Sequence, residues 1–143
     1  KTLIPFQQEF VHIQTYLELE KLRFDEELTV VYDIQADTFS LPVLTVQPLV
    51  ENAVKHGITQ KRGGGVLTLA TRAEPNCYVI TIADTGVGFY PEHYMDDGKT
   101  HIGIQNVRQR LEHMVGGTLE VTSTPGVGTI ATIIIPRKED IKA

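Results

Sequence analysis

The chain has a single cysteine, Cys77, so no internal disulfide can form. Cys77 lies in NCYVITIAD, a strand pattern, where a small packed side chain is the ordinary reading rather than a reactive thiol. One Cys and five scattered His residues give no zinc signature. No apolar run approaches the ~20 residues a membrane span requires. No signal peptide opens the sequence. Basic residues are outnumbered, 13 Lys and Arg against 18 Asp and Glu, for a net charge of -5. That excludes a nucleic-acid surface spread over the whole molecule, but leaves room for a locally positive pocket holding an anion. Internal repeats and low-complexity segments are absent. An initial Met is absent too, and the chain starts almost directly in helical sequence, so a domain cut from something longer is expected.

What is present fits one soluble globular domain over residues 1–143, with 41% hydrophobic and 22% charged residues. Pro5 to Phe24 predicts an amphipathic helix, with Phe6, Phe10, Ile13 and Leu17 at helical spacing. Glu27 to Ile34 is β-branched and aromatic, and predicts a strand. Val66 to Arg72 and Cys77 to Ala83 alternate, and the short turn between them makes an antiparallel hairpin. QKRGGG at Gln60 to Gly65 precedes a strand rather than a helix carrying Lys and Ser or Thr, so it reads as a loop and not a phosphate cradle. Asp84 to Ile102 is long, polar and aperiodic, the kind of loop that is usually functional or disordered. Gly103 to Val115 predicts a helix stopped by Gly116 and Gly117. Thr118 to Ser123 and Thr129 to Ile135 predict two last strands around a tight turn. Strands joined by short turns imply a mixed, mostly antiparallel sheet with the helices on one face. The fold class is α+β, a two-layer α/β sandwich.

Four stretches carry chemistry. Leu41 to Ile58, LPVLTVQPLVENAVKHGI, reads as one helix with unlike faces. Val46, Leu49, Val50, Ala53 and Val54 form the apolar side. Glu51, Asn52, Lys55 and His56 gather on the other, because positions three and four apart are neighbours. An Asn amide oxygen is a hard ligand suited to Mg²⁺, and Lys55 one turn on supplies charge for phosphates. Pro48 removes a backbone donor, so it either kinks this helix or marks where the regular part begins. In DTGVG, Asp84 ends an apolar strand and needs donors, such as the exocyclic amine of adenine. Gly86 and Gly88 let a flat ring approach the backbone, although a plain β-turn uses the same residues. In THIGIQN, Gly103 at a helix start offers an anion site. Arg108 and Arg110 follow; Arg108 is a candidate to reach phosphates, and a solvated arginine or a surface ion pair is at least as ready a reading for either. GVGT at Gly126 to Thr129 is a hairpin turn that gains meaning if Thr129 places its hydroxyl near Asp84.

In this order the four stretches resemble the ATP-binding fold shared by DNA gyrase, Hsp90, sensor histidine kinases and MutL. VENAVKHG is similar to its N box, DTGVGF to its first glycine box, GIQNVRQRL to its second, and TPGVGTIATIIIP to the segment that closes the pocket. QPLVENAVKHG and the front-helix wording YLELEKLRFDEEL resemble the LytS-type branch of sensor histidine kinases in particular. The resemblance implies a domain binding ATP with Mg²⁺. In it Asn52 ligates the metal, and Lys55 and His56 face phosphates or ribose. Asp84 accepts from the adenine amine above Gly86 and Gly88. Ile102, Gly103 and Ile104 present backbone N–H groups to the phosphates, and Thr129 completes the adenine end. Phe89 to His101 forms the lid. The γ-phosphoryl group then passes to a histidine on an upstream dimerisation segment, and onward to a response regulator. The implied parent is a homodimeric inner-membrane sensor whose catalytic domain is cytoplasmic, with no nucleic-acid partner.

Three departures shape that expectation. Where gyrase and Hsp90 relatives keep a general-base Glu one turn before the Asn, this chain has Pro48, and the nearest acid is Glu51. This favours transfer to histidine over hydrolysis, with Glu51 as an aid to the incoming imidazole. His101-Ile102-Gly103-Ile104 retains one glycine where the branch often has two. None of His12, His56, His93, His101 or His113 lies in the PHF-type motif that carries the phosphoacceptor. Rival expectations on the same fold are a serine kinase of the anti-sigma type and a binding-only nucleotide sensor.

Overall fold

The computed structural model describes residues 2–89 and 98–137, without the side chains of residues 98–102. Five strands form the main sheet: β2 (Leu28–Ile34), β4 (Gly65–Ala73), β5 (Cys77–Asp84), β6 (Thr118–Thr124) and β7 (Gly128–Pro136). Their spatial order is β2-β4-β5-β7-β6. β2 and β4 pair in parallel; the other pairings are antiparallel. A two-stranded ribbon of β1 (Leu3–Pro5) and β3 (Ser40–Pro42) completes the strands, and it was not expected from sequence. Three residues per strand are too few for alternation to show.

The strand register builds the core row by row. Thr71, Ile80, Ile133 and Leu119 lie side by side across four strands, and Leu69, Ile82, Ala131 and Val121 form the next row. All eight face the helices, because side chains along a strand alternate between faces. The third row is Leu67, Asp84, Thr129 and Ser123, which brings polar side chains together at one end of an otherwise apolar layer. The opposite sheet face leaves Val31, Ile130 and Ile134 exposed.

Helix α1 (Phe6–Phe24) buries Phe6, Ile13 and Leu17, the stripe its sequence spacing predicts. Aromatic stacking seats it: Phe6 lies 5.1 Å from Phe39, which lies 4.8 Å from Tyr78, and Phe10 meets the edge of Tyr32 at 5.2 Å. Helix α3 (Gly98–Val115) buries Ile104, Val107, Leu111 and Val115. It begins five residues before the expected start at Gly103, so part of the expected loop is helical. Lys99, Thr100 and His101 permit helix, and no Pro intervenes to stop it.

The helix expected over Leu41–Ile58 is shorter and is built in pieces. Leu41 and Pro42 belong to β3, and α2 is Gln47–Asn52. Pro48 sits in its first turn, where a missing N–H costs nothing, so the proline starts the helix rather than kinking it. From Ala53 to Gly57 the helix widens to π geometry, and Ile58 N–H bonds both the Ala53 and Val54 carbonyls. The Lys55 carbonyl is taken up by the side chains of Thr59 (3.0 Å) and Gln60 (3.2 Å).

The triple glycine is a tight turn into β4, closed by Gly64 N–H on the Lys61 carbonyl at 2.9 Å. Gly63 and Gly64 both hold positive φ, 85° and 77°. They differ in surroundings: a Cβ on Gly64 would lie 1.9 Å from the Glu27 carbonyl oxygen, whereas one on Gly63 meets nothing within 4 Å. Gly63→Ala should therefore cost only the left-handed backbone, about 1–2 kcal/mol. Gly64→Ala should cost at least ~2 kcal/mol more, because β2 must also move off β4. Urea unfolding of the two variants checks this, and equal losses would contradict it.

Candidate nucleotide site

The third row of the sheet meets the widened helix at one cavity of about 310 Å³. Its walls are apolar, with Leu49 and Ala53 from the helix side, Ile82, Val121 and Ala131 from the sheet, and Ile104 from α3. Asn52, His56, Gln60, Asp84, Gly88, Phe89 and Thr129 also line it. The polar groups grade from buried Asp84 through half-buried Asn52 to exposed His56. An apolar slot with a few placed polar groups suits a flat heterocycle that carries a donor.

Asp84 is 7% exposed. Its Oδ1 accepts the Gly86 N–H at 2.8 Å. Burial pushes its carboxyl above the ordinary carboxylate value, against the pull of the Gly86 and Thr129 N–H groups and the Lys61 charge.

Two glycines let the neighbouring backbone close on this carboxylate. A Cβ on Gly57 would stand 3.0 Å from Asp84 Oδ1, and one on Gly86 would stand 2.2 Å from the Gly57 carbonyl carbon. Val87 N–H bonds the Gly57 carbonyl at 3.2 Å. The end of the helix and the loop after β5 are thus joined backbone to backbone. On the other side, Gly126 N–H bonds the Val87 carbonyl at 2.7 Å. Gly88 holds φ 66° against the Thr124 carbonyl, where only glycine fits. Lys61 Nζ ties the same two loops, donating to Thr85 O (2.9 Å) and Gly126 O (3.2 Å).

The expected site residues fall into groups. Asn52, His56, Asp84, Gly88, Ile104 and Thr129 share the cavity. Gly86 stands behind it, against Gly57. Gly103 faces Asn52, whose Nδ2 would lie 3.8 Å from a Cβ there. Gly103 is not at a helix start, and its N–H and that of Ile104 fall after the four free donors of α3. The Ile102 side chain lies outside the described residues, as do residues 90–97 of the expected lid, while residues 98–101 are the first turn of α3. Lys55 is exposed and does not line the cavity. Glu51 does not line it either; its carboxylate accepts from Gln47 Nε2 at 3.1 Å. The Thr129 hydroxyl is engaged with Ser123 Oγ at 2.8 Å, and Ser123 also accepts the Phe89 N–H at 2.9 Å.

Sequence reasoning missed Gly57, Gln60 and Ser123. Gly57 follows the polar face directly, and a glycine closing a helix reads as a plain stop signal. Ser123 is found only through the register that sets it beside Thr129.

Residues 40–139 match the family described as "Histidine kinase-, DNA gyrase B-, and HSP90-like ATPase". The chain is 43% identical over 136 residues to the uncharacterised protein YwpD of Bacillus subtilis, covering 91% of this chain and 49% of that protein. It is 30% identical over 152 residues to the sensor protein LytS of Oceanobacillus iheyensis, covering 95% of this chain and 26% of that one. It thus spans about half of one relative and a quarter of the other. Among solved structures, the blue-light activated histidine kinase EL346 of Erythrobacter litoralis superposes with a TM-score of 0.68 at 25% identity, over 98% of this chain and 44% of that one. The α+β sandwich is that of histidine kinase catalytic domains. Family match, relatives and cavity agree, and the chain belongs to the histidine kinase-, DNA gyrase B- and HSP90-like ATPases.

Proposed function

We propose that this chain is a sensor histidine kinase catalytic domain that binds Mg·ATP in the cavity and passes the γ-phosphoryl group to a histidine on a dimerisation segment of its parent protein. The observation that carries this is Asp84, a nearly buried carboxylate at the polar end of an apolar slot, in the same cavity as Asn52. A buried acceptor beside an apolar slot selects a ring with an exocyclic amine, which describes adenine.

The residues present fit a phosphate-borne Mg²⁺. Among the described residues no group of three or more acidic, Cys or His side chains stands ready to enclose a metal. Mg²⁺ commonly takes one or two protein oxygens and completes its shell with phosphates and water. Asn52 would hold the ion, which would supply charge neutralisation at the phosphoryl group. His56 lies on the phosphate or ribose side. Lys55, being exposed, contributes screened charge rather than a direct contact. The N–H groups of Ile102, Gly103 and Ile104 reach phosphate when the first turn of α3 opens. Glu51 assists the incoming imidazole from outside the cavity. Pro48 leaves no carboxylate one turn before Asn52 to activate water, which favours transfer over hydrolysis. Among the described residues no helix is long and apolar enough to cross a membrane. Membrane attachment, dimerisation and the response regulator belong in this reading to the rest of the parent.

The test is a titration with Mg·ATP followed by addition of the upstream segment. Acid-labile phosphate on that segment supports the reading; acid-stable phosphate points to a serine kinase, and no nucleotide binding defeats it. Asp84→Ala should weaken adenine nucleotides by about 10- to 100-fold, the worth of a hydrogen bond to a charged group. Asn52→Ala should weaken Mg·ATP and leave adenosine unaffected, as calorimetry and NMR titration would show. Adenosine affinity should hold at neutral pH and fall as the pH is lowered through the raised pKa of Asp84. The carboxylate accepts the amine and its protonated form does so poorly, so ligand and proton compete. In Asn52→Ala this pH dependence should persist.

A further inference from the structure

Before α2, the turn from Pro42 to Gln47 is gripped from two sides. From α1, Glu9 Oε2 accepts the N–H groups of Val46 and Gln47, each at 2.8 Å. Glu9 is 1% exposed, an unusual place for a carboxylate. α2 has no cap from its own side chains, so Glu9 caps it from another helix. From α3, an Arg110 guanidinium N–H donates to the Leu44 carbonyl. Leu44 holds φ 59°, a strained value for a leucine.

Both grips are incompletely satisfied. Among the described residues, Glu9 Oε1 and Arg110 Nε are buried without a hydrogen-bond partner. Burial pushes the Glu9 carboxyl above its ordinary value, against the pull of the N–H groups it accepts and of the Arg110 charge. α3 also reaches the far end of α2, where Gly103 faces Asn52. Gly103 and Arg110 are seven residues apart, about two turns, so they share a face of α3. α2 is only six residues long and carries Asn52 as its last residue. A helix this short moves as one body, so displacing its first turn displaces Asn52.

We propose that Glu9 and Arg110 are positioning residues: they clamp the Pro42–Gln47 turn so that α1 and α3 together set where Asn52 meets the metal and phosphates. The clamp rests on the nucleotide reading given above. It acts on the helix end of the cavity and not on the adenine end, because Asp84 and Thr129 are fixed by the strand register.

The test compares two ligands on the intact chain. Glu9→Gln and Arg110→Met should each weaken Mg·ATP about fivefold or more, the usual size of coupling between sites. Both should leave adenosine affinity within about twofold of the parent. A purely structural role would not separate the ligands. Equal weakening of both, or unchanged Mg·ATP binding with only a lowered melting temperature, would overturn the clamp. Should Glu9→Gln fail to fold, Arg110→Met carries the comparison, since Arg110 is only half-buried and Met keeps its aliphatic packing while removing the donor to the Leu44 carbonyl. A parent chain that binds neither ligand would defeat the nucleotide reading itself, a result distinct from variants that match a binding parent.

Discussion

The site depends on the contact between two backbones with no side chain between them. Gly57 ends the widened helix and Gly86 follows β5; a methyl group on Gly86 would strike the Gly57 backbone, and one on Gly57 would press on the Asp84 carboxylate. Because they touch, Asp84 is pressed between helix and sheet rather than left at a frayed strand end. Its carboxylate is nearly buried and held by the Gly86 N–H, and the cavity acquires its polar end. Two alternatives in the sequence are separated by this contact. DTG is a common turn in isolation, and here the turn is the device that shields the carboxylate from water.

The cavity therefore has two ends of different mechanical character. The sheet end is set by register: Asp84, Thr129 and Ser123 lie in one row, and none can shift without breaking strand pairing. The helix end is assembled from short pieces, six residues of α2, five of π geometry and a final turn. The π segment leaves the Lys55 carbonyl to the Thr59 and Gln60 side chains, which donate to it.

Much of this was legible in the sequence because it follows from periodicity. The α1 stripe, the β4–β5 hairpin and the last two strands agree with their alternation to within a residue or two. That Asn52, Asp84 and Thr129 would share one cavity was readable from the order of the glycine-bearing stretches. Boundaries governed by tertiary contact were not legible. Leu41 continues an apolar helical pattern yet belongs to a strand, because the β1–β3 ribbon claims it. The Gly103 start looked secure because glycine breaks helices, but a helix already running through Lys99–His101 tolerates one glycine at modest cost. Glu9 carries no signal in the sequence, and only packing shows that it is the most deeply buried carboxylate described.

The parallel pairing of β2 with β4 has a further consequence. Parallel neighbours cannot be joined by a tight turn, so the chain must leave the sheet and return. The excursion between Ile34 and Gly65 contains β3, α2 and the π segment, which is to say Asn52, His56 and Gly57. The helix half of the cavity is thus itself the crossover. Closing a loop of this length is entropically costly and slow compared with forming the β4–β5 hairpin. The same loop-closure argument predicts that the cavity closes late in folding, after the hairpin that carries Asp84 has formed.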